Sequence, residues 1–599
     1  MNETETSARL ASQRVLSPLR NSTQSTSAAG LAAEQLAHFG LDPKSEFGAK
    51  VEMLATRLYD CQADIDQVWK LGLSSLRELP PTDRIARFNA QKFLSFQIAK
   101  LLDTLQNSFR ASYQSFGYCL STQAAKGPYA VFDNVTAIFS AAPVITRTAT
   151  YVYACAEWIA DAFQGKELMH EIYSRLLNPT SVSLANYVVD LEAGPYTREY
   201  FAWNFNSGMA AIDACLSNLL GRDDVLITSR NIYGGAHQLI HDWFGKPGNL
   251  AIAVESFDGL GAADFEACLA KTVAKHAARL AEGRKIYLYL ESPCNPHGEI
   301  LDVPNICKSA HAKGIRVMLD ATVGTPFLSR PLQREDPAER PDFVIHSYTK
   351  DLSGTGSIIG GAVIGRNEDM FVPKGATVAG VPWNETLFWN VYYVKGAFLS
   401  ADAAYEIIQG MRTLDVRMMA KCVNTHVLAT FLNEHPSISV NCSSIAGQRS
   451  SPHREAQHYL GLPAPLFTID MGKLPKQAFQ RFFDSLEPAF SHMISLGQSN
   501  TIVSCPALTT HSELDESALK SAGITPTTIR FAMGDEDPLE LMGHFVEAAQ
   551  LAIDPIVPGF SGQFPDSKAR QSLFRRVYLD AHTRFIDDRL NREEASCVN

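Results

Sequence analysis

Five short apolar runs that alternate with helical segments constrain the fold of this chain more than any other feature. They are DVLITS (224–229), LAIAVES (250–256), KIYLYLES (285–292), RVMLDA (316–321) and DFVIHS (342–347). Segments with apolar residues at helical spacing, such as 263–283 and 303–314, lie between them. Nearly continuous apolar strands that alternate with helices predict an α/β fold with a mostly parallel sheet covered on both faces.

The chain is long enough for several domains, because 599 residues exceed what one hydrophobic core usually holds. Changes in composition and in apolar periodicity mark the borders between the expected regions. The sequence predicts a disordered tail over 1–30, a helical accessory region over 31–125, a large α/β domain over 126–395, a small α+β domain over 396–555 and a helical tail over 556–599.

Composition narrows the expected partners and compartment. The formal net charge of −11 argues against nucleic acid as the main partner, because phosphate binding needs a basic excess. The chain has no apolar run long enough to span a bilayer, and its start lacks the apolar block of a secretory signal, so we expect no membrane association. The 11 cysteines form no CxxC pair, which indicates reduced thiols in a cytoplasmic protein and no metal site.

Polar residues follow three of the apolar runs. Asn295 comes after KIYLYLES, Asp320 and Thr322 come at the end of RVMLDA, and Lys350 comes after DFVIHS. Because the carboxyl ends of parallel strands meet at one edge of a sheet, we expect these side chains to converge. A lysine short of water has a lowered amine pKa and can bond covalently to an aldehyde. The Asp320 carboxylate can pair with a protonated pyridine nitrogen.

A phosphate site is expected beside the lysine. Ser347 and Thr349 flank Lys350 and carry hydroxyl groups that can donate hydrogen bonds to a phosphate. Upstream, Gly208 and Met209 stand at the start of the helical segment NSGMAAIDACLSNLL. The free amides of a helix N-terminus suit a phosphate dianion, and glycine lets the backbone approach closely.

The order of these motifs resembles the Cys/Met-metabolism family of pyridoxal-phosphate (PLP) enzymes, which includes cystathionine γ-synthase, cystathionine lyases, methionine γ-lyase and O-acylhomoserine sulfhydrylases. The resemblance covers roughly 125–555 and comprises AAPVITRTATYVY, EIYSRLLNPTSVSLANYVVDLEAG, SGMAAI, IYGG, ESPCNP, DFVIHSYTK, SLGQSNTIVSCPALTTHSEL and GITPTTIRFAMGDED. It implies pyridoxal 5'-phosphate as the cofactor and the aminotransferase-like fold of type I, with a smaller α+β C-terminal domain and a helical N-terminal extension.

The resemblance implies a role for each residue around the cofactor ring. Lys350 carries the cofactor and moves protons, and Asp320 holds the ring nitrogen. Asn295 lies beside the ring hydroxyl, and Tyr233 stacks on the ring. Lys350, Tyr233 and Asp320 are therefore the expected catalytic residues.

The resemblance also implies how the phosphate is held within one subunit. Gly208, Met209, Ser347 and Thr349 are expected to bind it, and Thr322 is a further expected cofactor-binding residue.

The resemblance also implies that one pair of residues contacts the neighbouring subunit and that another pair binds the substrate. In this family the residues at Tyr173 and Arg175 reach the phosphate of the neighbouring subunit, so we expect a homodimer or homotetramer with shared active sites. Arg530 is expected to bind the α-carboxylate of an amino-acid substrate through two hydrogen bonds, with Ser495 assisting.

Departures from the family pattern leave the substrate open. Gly235 stands where methionine γ-lyases carry a reactive cysteine, Asn500 replaces a glutamate, and DLSGTG after the lysine lacks the usual aromatic and Gly-His residues. We expect γ-replacement or γ-elimination on a homoserine-derived or cystathionine-like amino acid, with a thiol as a co-substrate of the replacement. The alternatives are a C–S lyase of the cystathionine β-lyase type and a non-catalytic interaction protein that keeps the fold.

Overall fold

The structure is a computed structural model of the chain. It describes residues 25, 27–73, 78–126, 140–153, 156, 159, 163, 172–472, 474–508, 519 and 523–598. These residues fall into two compact units. The larger comprises 145–151 and 172–593, and the smaller is formed mainly by residues of 27–144.

The smaller unit is helical. Its helices are α1 (Ala28–His38), α2 (Glu46–Leu73), α3 (Pro81–Ser115) and α4 (Leu120–Lys126). Helix α1 packs on α2, where the Tyr59 hydroxyl donates a hydrogen bond of 2.9 Å to the side-chain oxygen Oε1 of Gln35. Leu36 is buried in this contact, but most large apolar side chains of α2 and α3 are exposed.

A seven-stranded sheet forms the centre of the larger unit. Its strands are β1 (Tyr200–Phe205), β2 (Val225–Ser229), β3 (Ala253–Phe257), β4 (Ile286–Glu291), β5 (Arg316–Asp320), β6 (Phe343–Ser347) and β7 (Gly361–Arg366). Their order is β1-β7-β6-β5-β4-β2-β3. Strands β2 to β6 pair in parallel, and β7 runs antiparallel to both β1 and β6.

The described residues of this part of the unit form nine α-helices. They are α5 (Pro179–Ala193), α6 (Gly208–Leu219), α7 (Gly234–Gln238), α8 (Ala262–Lys275), α9 (Ala277–Ala281), α10 (Val303–His311), α11 (Thr325–Leu328), α12 (Asn367–Met370) and α13 (Tyr393–Lys395). Helix α6 packs on β6 and β7, α8 on β3, and α10 on β5. The strands β2, β4 and β5 are almost fully buried, as their apolar sequences require.

The C-terminal part of the larger unit adds a second sheet and more helices. After a small pair, β8 (Thr377–Val378) with β9 (Val381–Pro382), five strands have the order β10-β11-β14-β13-β12. They are β10 (Ser439–Asn441), β11 (Leu466–Asp470), β12 (Ser491–His492), β13 (Ile502–Ser504) and β14 (Thr528–Ala532). The helices are α14 (Ala401–Met411), α15 (Leu414–Asn433), α16 (Ser451–Gln457), α17 (Lys476–Asp484), α18 (Pro538–Ala552) and α19 (Ser567–Val598).

The α/β prediction is confirmed, and each of the five apolar runs contains or overlaps a strand. The apolar pattern did not indicate β1 and β7. Strand β7 begins and ends among glycines, which are depleted in strands. A Cβ at Gly361 would lie 2.4 Å from the Ser207 carbonyl oxygen, and one at Gly365 would lie 2.9 Å from the Phe343 ring. Close packing therefore requires glycine at these positions of the strand.

The predicted domain boundaries stay predictions. Residues 1–24 and 26 of the expected tail and 127–139 of the expected large domain lie outside the described residues. Helix α1 begins at Ala28, inside the range predicted as a tail. No helix within the described ranges is long and apolar enough to cross a membrane.

Candidate active site

Lys350 lies in the turn that follows β6, and a loop of the C-terminal part holds its side chain. The Lys350 Nζ donates a hydrogen bond of 2.6 Å to Ser495 Oγ. Ser495 has a φ of 95° and Gly497 a φ of 82°, so two residues of this loop have the left-handed backbone conformation that favours glycine. A Cβ at Gly497 would lie 2.7 Å from the Lys350 Cα, which shows why only glycine fits there. The loop therefore lies in close contact with the backbone of Lys350.

The environment of Lys350 favours the neutral amine. Burial, and secondly the positive charge of Arg530, lower its pKa to about 8. At pH 7 roughly one such amine in ten is neutral, compared with fewer than one in a thousand for a lysine in water. A neutral amine is the form that attacks a carbonyl carbon or accepts a proton.

Arg530, on β14, contacts two other predicted site residues. Its Nη1 donates a hydrogen bond of 3.2 Å to Asn295 Oδ1, and its Nη2 donates one of 2.7 Å to the Ser495 carbonyl oxygen. The side chain is 1% exposed, and burial lowers its pKa to about 10. Its Nε is buried and has no hydrogen-bond partner among the described residues. This guanidinium group therefore keeps a donor for an anionic ligand.

Asp320 ends β5 as a buried carboxylate. Its Oδ1 accepts a hydrogen bond of 3.0 Å from the Thr322 amide, and its Oδ2 accepts one of 3.4 Å from the Tyr289 hydroxyl. Burial raises its pKa above the usual range for aspartate. No ion-pair partner of Asp320 occurs in the part of the chain that the structure describes. A bound cationic group would stabilise its ionised form.

Tyr233 is oriented by a carboxylate that the sequence reasoning missed. The Tyr233 amide donates a hydrogen bond of 2.5 Å to Glu291 Oε2, and the Asn295 amide donates one of 3.0 Å to Glu291 Oε1. Glu291 is 4% exposed, and burial together with neighbouring Asp320 raises its pKa well above the usual range. One side chain thus positions both residues expected beside the cofactor ring.

Glu291 could have been noticed in the sequence. It is the last residue of β4 and stands in register with Asp320 on β5, at the same sheet edge as the other candidates. Two backbone amides donate hydrogen bonds to the Glu291 side chain, and the sequence does not indicate those contacts. The sequence thus indicates that Glu291 lies at this edge, but only the folded backbone shows that it positions Tyr233 and Asn295.

The residues expected at the phosphate group meet at the start of α6. Gly208 opens this helix, and a Cβ there would lie 2.8 Å from the Ser347 Cβ. The Ser347 amide donates a hydrogen bond of 2.8 Å to Thr322 Oγ1, which links β5 to β6 at this edge. The amides of Gly208 and Met209 belong to the first helical turn, where they have no intrahelical acceptor.

Thr349 has a local role in the structure. Its Oγ1 lies 3.2 Å from the Gly360 amide, from which it accepts a hydrogen bond, and 3.4 Å from the Gly360 carbonyl oxygen. The hydroxyl thus ties the turn that carries Lys350 to the start of β7. Its expected contact with phosphate stays a prediction.

Tyr173 and Arg175 lie at a different place in the same chain. Arg175 Nη1 donates a hydrogen bond of 3.0 Å to the Tyr393 carbonyl oxygen, and its guanidinium group lies 5.5 Å from the centre of the Tyr173 ring. Tyr173 forms a backbone bridge with Thr150 and is 40% exposed. These contacts leave the aromatic ring accessible.

A buried ion pair follows the lysine directly. Lys421 Nζ, on α15, lies 2.9 Å from Asp351 Oδ1, and both side chains are at most 1% exposed. Lys421 also donates a hydrogen bond of 2.6 Å to the carbonyl oxygen of Gln498. The pair connects the turn of Lys350, helix α15 and the loop of Ser495.

Comparison with known proteins agrees with this geometry. The family model described as Cys/Met metabolism PLP-dependent enzyme matches residues 131–550, more than half of the chain. This chain belongs to that family. It is thus a PLP-dependent enzyme of the trans-sulfuration type, and the resemblance read from its motifs is confirmed.

Relatives within the family differ in activity. An L-methionine gamma-lyase from Pseudomonas deceptionensis is 30% identical over 440 residues, which cover 73% of this chain and 98% of the relative. An O-acetyl-L-homoserine sulfhydrylase from Corynebacterium glutamicum is 30% identical over 418 residues, which cover 66% of this chain and 89% of the relative.

Solved structures show the same fold. A Campylobacter jejuni structure named for an O-acetylhomoserine (thiol)-lyase aligns with a TM-score of 0.59 and 29% identity, covering 69% of this chain and 96% of that one. It contains N'-pyridoxyl-lysine-5'-monophosphate, the family's cofactor bonded to a lysine. Cystathionine gamma synthase from Xanthomonas oryzae aligns with a TM-score of 0.57 and 24% identity, covering 73% of this chain and 99% of that one.

The residues of this site fit PLP. Lys350 supplies an amine of lowered pKa, and Asp320 supplies a buried carboxylate for a protonated ring nitrogen. The start of α6, beside the Ser347 hydroxyl, supplies donors for a phosphate. When bound, this cofactor supplies an electron sink for carbanions formed on an amino acid. Among the described residues no cluster of three or more His, Cys, Asp or Glu side chains suits a metal ion.

Proposed function

We propose that this enzyme catalyses γ-replacement on an activated homoserine derivative with a thiol as the co-substrate, and γ-elimination when no thiol is present. The observation that carries this proposal is the linked set of Lys350, Ser495 and Arg530. In this proposal, the Nε of Arg530 binds the substrate carboxylate and fixes the Cα proton near Lys350. Lys350 then takes that proton at Nζ and returns it later in the reaction.

The surroundings of Tyr233 favour replacement over methionine cleavage. Gly235 stands where methionine γ-lyases carry a reactive cysteine, and a Cβ there would lie 2.7 Å from the Tyr233 ring. The same Cβ would lie 3.0 Å from the Met209 sulfur. Position 235 of this chain therefore has no thiol, and the present positions of the Tyr233 and Met209 side chains leave no space for one.

The proposal is tested by incubating the holoenzyme with O-acylhomoserines, cystathionine, methionine and cysteine, each with and without added thiol. We expect a thioether product from an O-acylhomoserine and a thiol, and a keto acid when the thiol is omitted. Lys350→Ala is the control, and we expect it to lose at least a thousandfold in rate because no other amine replaces its Nζ. Pyruvate and homocysteine from cystathionine as the dominant products would instead establish a β-lyase.

We also propose a homo-oligomer whose active sites are shared through Tyr173 and Arg175. The exposed ring of Tyr173 and its contact with Arg175 support this role, because within one chain the pair contacts Thr150 and Tyr393. Mixing inactive Arg175→Ala and Lys350→Ala proteins during refolding tests it. Restored activity in the mixture is expected, since one site of each hybrid pair then has both groups. Failure of the mixture to exceed either variant would contradict shared sites.

The compartment is part of the same proposal. We propose that the enzyme works in the cytoplasm, because the nine cysteines whose side chains the structure describes all carry free thiols.

A further inference from the structure

Helix α2 of the smaller unit carries a regular apolar seam that the catalytic site does not use. The seam consists of Val51, Leu54, Leu58, Cys61, Ile65 and Val68. The intervals between them alternate between three and four residues without interruption. This is the spacing of positions a and d in a coiled coil, whose side chains insert between those of a facing helix.

The seam is exposed along most of its length. Leu58 is 63% exposed, Leu54 is 49% exposed and Val68 is 46% exposed. Helix α1 contacts α2 on another face, where Tyr59 bonds to Gln35. A contiguous apolar stripe of this kind on a helix of 28 residues indicates a site of association.

We propose that this seam pairs antiparallel with the same seam of a second copy of the chain. If Leu58 stands opposite Cys61 of the second copy, Val51 falls opposite Val68, and Leu54 falls opposite Ile65. Every layer then combines one a position with one d position, and the two-fold axis makes the contact self-complementary. Both sides of the proposed contact are therefore formed by the same six residues, one set from each copy.

The charges beside the seam agree with this direction. Arg57 precedes Leu58 and Asp64 precedes Ile65, so both occupy g positions, and both side chains are exposed. In the antiparallel pair Arg57 faces Asp64 of the second copy, and the two-fold axis repeats the contact. A parallel pair in register would place Cys61 opposite Cys61, and Arg57 would face an uncharged glutamine.

The first test measures the mass of the full-length holoenzyme by light scattering over a range of concentrations. Leu58→Lys places a charge in the centre of the seam, and we expect the mass of the assembly to fall to half. Met53→Lys is the matched control, because Met53 is an exposed apolar residue of the same helix outside the seam. Equal masses for the wild type and Leu58→Lys, or an equal fall in both variants, would overturn the proposal.

The second test identifies the direction of the pair without weakening the seam. Under mild oxidation, Leu58→Cys brings a new thiol opposite Cys61 of the second copy, and we expect most chains to migrate as a covalent dimer. The wild type, with Cys61 alone, and Met53→Cys should crosslink at least fivefold less. Strong crosslinking of the wild type would show a parallel pair and refute the antiparallel one. A disulfide confined within one chain, or no disulfide at all, would show that another surface covers the seam.

Discussion

Large apolar side chains are buried in the large sheet but exposed on helix α2. Leu319 on β5 is 1% exposed, whereas Leu58 on α2 is 63% exposed. Helices of the same unit bury the strands of the sheet, so residues of the same chain cover their apolar side chains. The seam of α2 is equally regular, but most of it is exposed among the residues that the structure describes. Regular apolar spacing thus predicts that a surface will be buried, without indicating which molecule buries it.

The two regions also differ in how they accommodate ionisable side chains. The larger unit buries Lys421, Asp351, Glu291 and Asp320, and each of them forms specific hydrogen bonds. Arg57 and Asp64 on α2, by contrast, are exposed. Substitutions of buried ionisable groups in the larger unit should therefore change the free energy of unfolding, in either direction, far more than substitutions on α2.

The largest effect is expected from Lys421→Met. It leaves the Asp351 carboxylate buried without a counter-charge, which typically costs about 3–5 kcal/mol of the free energy of unfolding. Lys395→Met is the matched control, because Lys395 forms an ion pair of 3.0 Å with Asp213 but is 47% exposed. That control should cost less than about 1 kcal/mol in denaturant unfolding. A loss below 1 kcal/mol in both variants would show that water reaches the Asp351 pair.

A pH-dependent effect is expected at Lys350 in the cofactor-free protein. Its pKa falls from 10.5 in the unfolded chain to about 8 in the fold. Below pH 8 the folded state bears the full cost of the buried ammonium, and between pH 8 and 10.5 the unfolded state binds more protons, so stability rises with pH. Lys350→Met removes this cost, and we expect it to stabilise the protein by about 3 kcal/mol at pH 7.

Denaturant unfolding at pH 7 and at pH 10.5 measures this effect. The difference between the wild type and Lys350→Met should nearly vanish at the higher pH, because the wild-type amine is then neutral in the folded state and only half protonated in the unfolded chain. If the wild type and Lys350→Met differ in stability by the same amount at pH 7 and at pH 10.5, the Lys350 amine has its ordinary pKa.

A smaller effect is expected from Glu291→Gln. The amide keeps one oxygen acceptor, so either the Tyr233 or the Asn295 amide loses its bond, at about 1–2 kcal/mol. We expect cofactor affinity to fall roughly tenfold, with a changed absorption spectrum of the bound cofactor, because both residues flank its expected position. Glu266→Gln, at an exposed position, is the control. An unchanged spectrum and affinity would remove the positioning role of Glu291.

The smallest effect is expected from Met53→Ala on α2. Met53 is 43% exposed and lies outside the seam, so the free energy of unfolding should change by less than about 0.5 kcal/mol. Leu36→Ala, which opens a cavity between α1 and α2, should cost about 2 kcal/mol or more. If Met53→Ala costs as much as Leu36→Ala, the smaller unit buries a face of α2 that is exposed here.

The sequence predicted the sheet well where its strands are apolar and buried. Strands β2 to β6 were found because they are nearly continuous apolar runs, and their ends indicated Asn295, Asp320 and Lys350. Strand β7 was missed because its glycines are required by the close approach of Ser207 and Phe343, which lie far away in sequence. A local pattern cannot report contacts of this kind.

The sequence by itself determined the family, the cofactor and the lysine that is expected to carry it, because those follow from motifs whose order can be read along the chain. Only the tertiary structure showed that Glu291 binds the amides of Tyr233 and Asn295, that Ser495 contacts Lys350, and that Lys421 pairs with Asp351. Several of these contacts join residues more than 50 positions apart, and the pKa of Lys350 depends on its burial among them. Burial and distance are properties of the folded chain, so no local pattern of residues contains them.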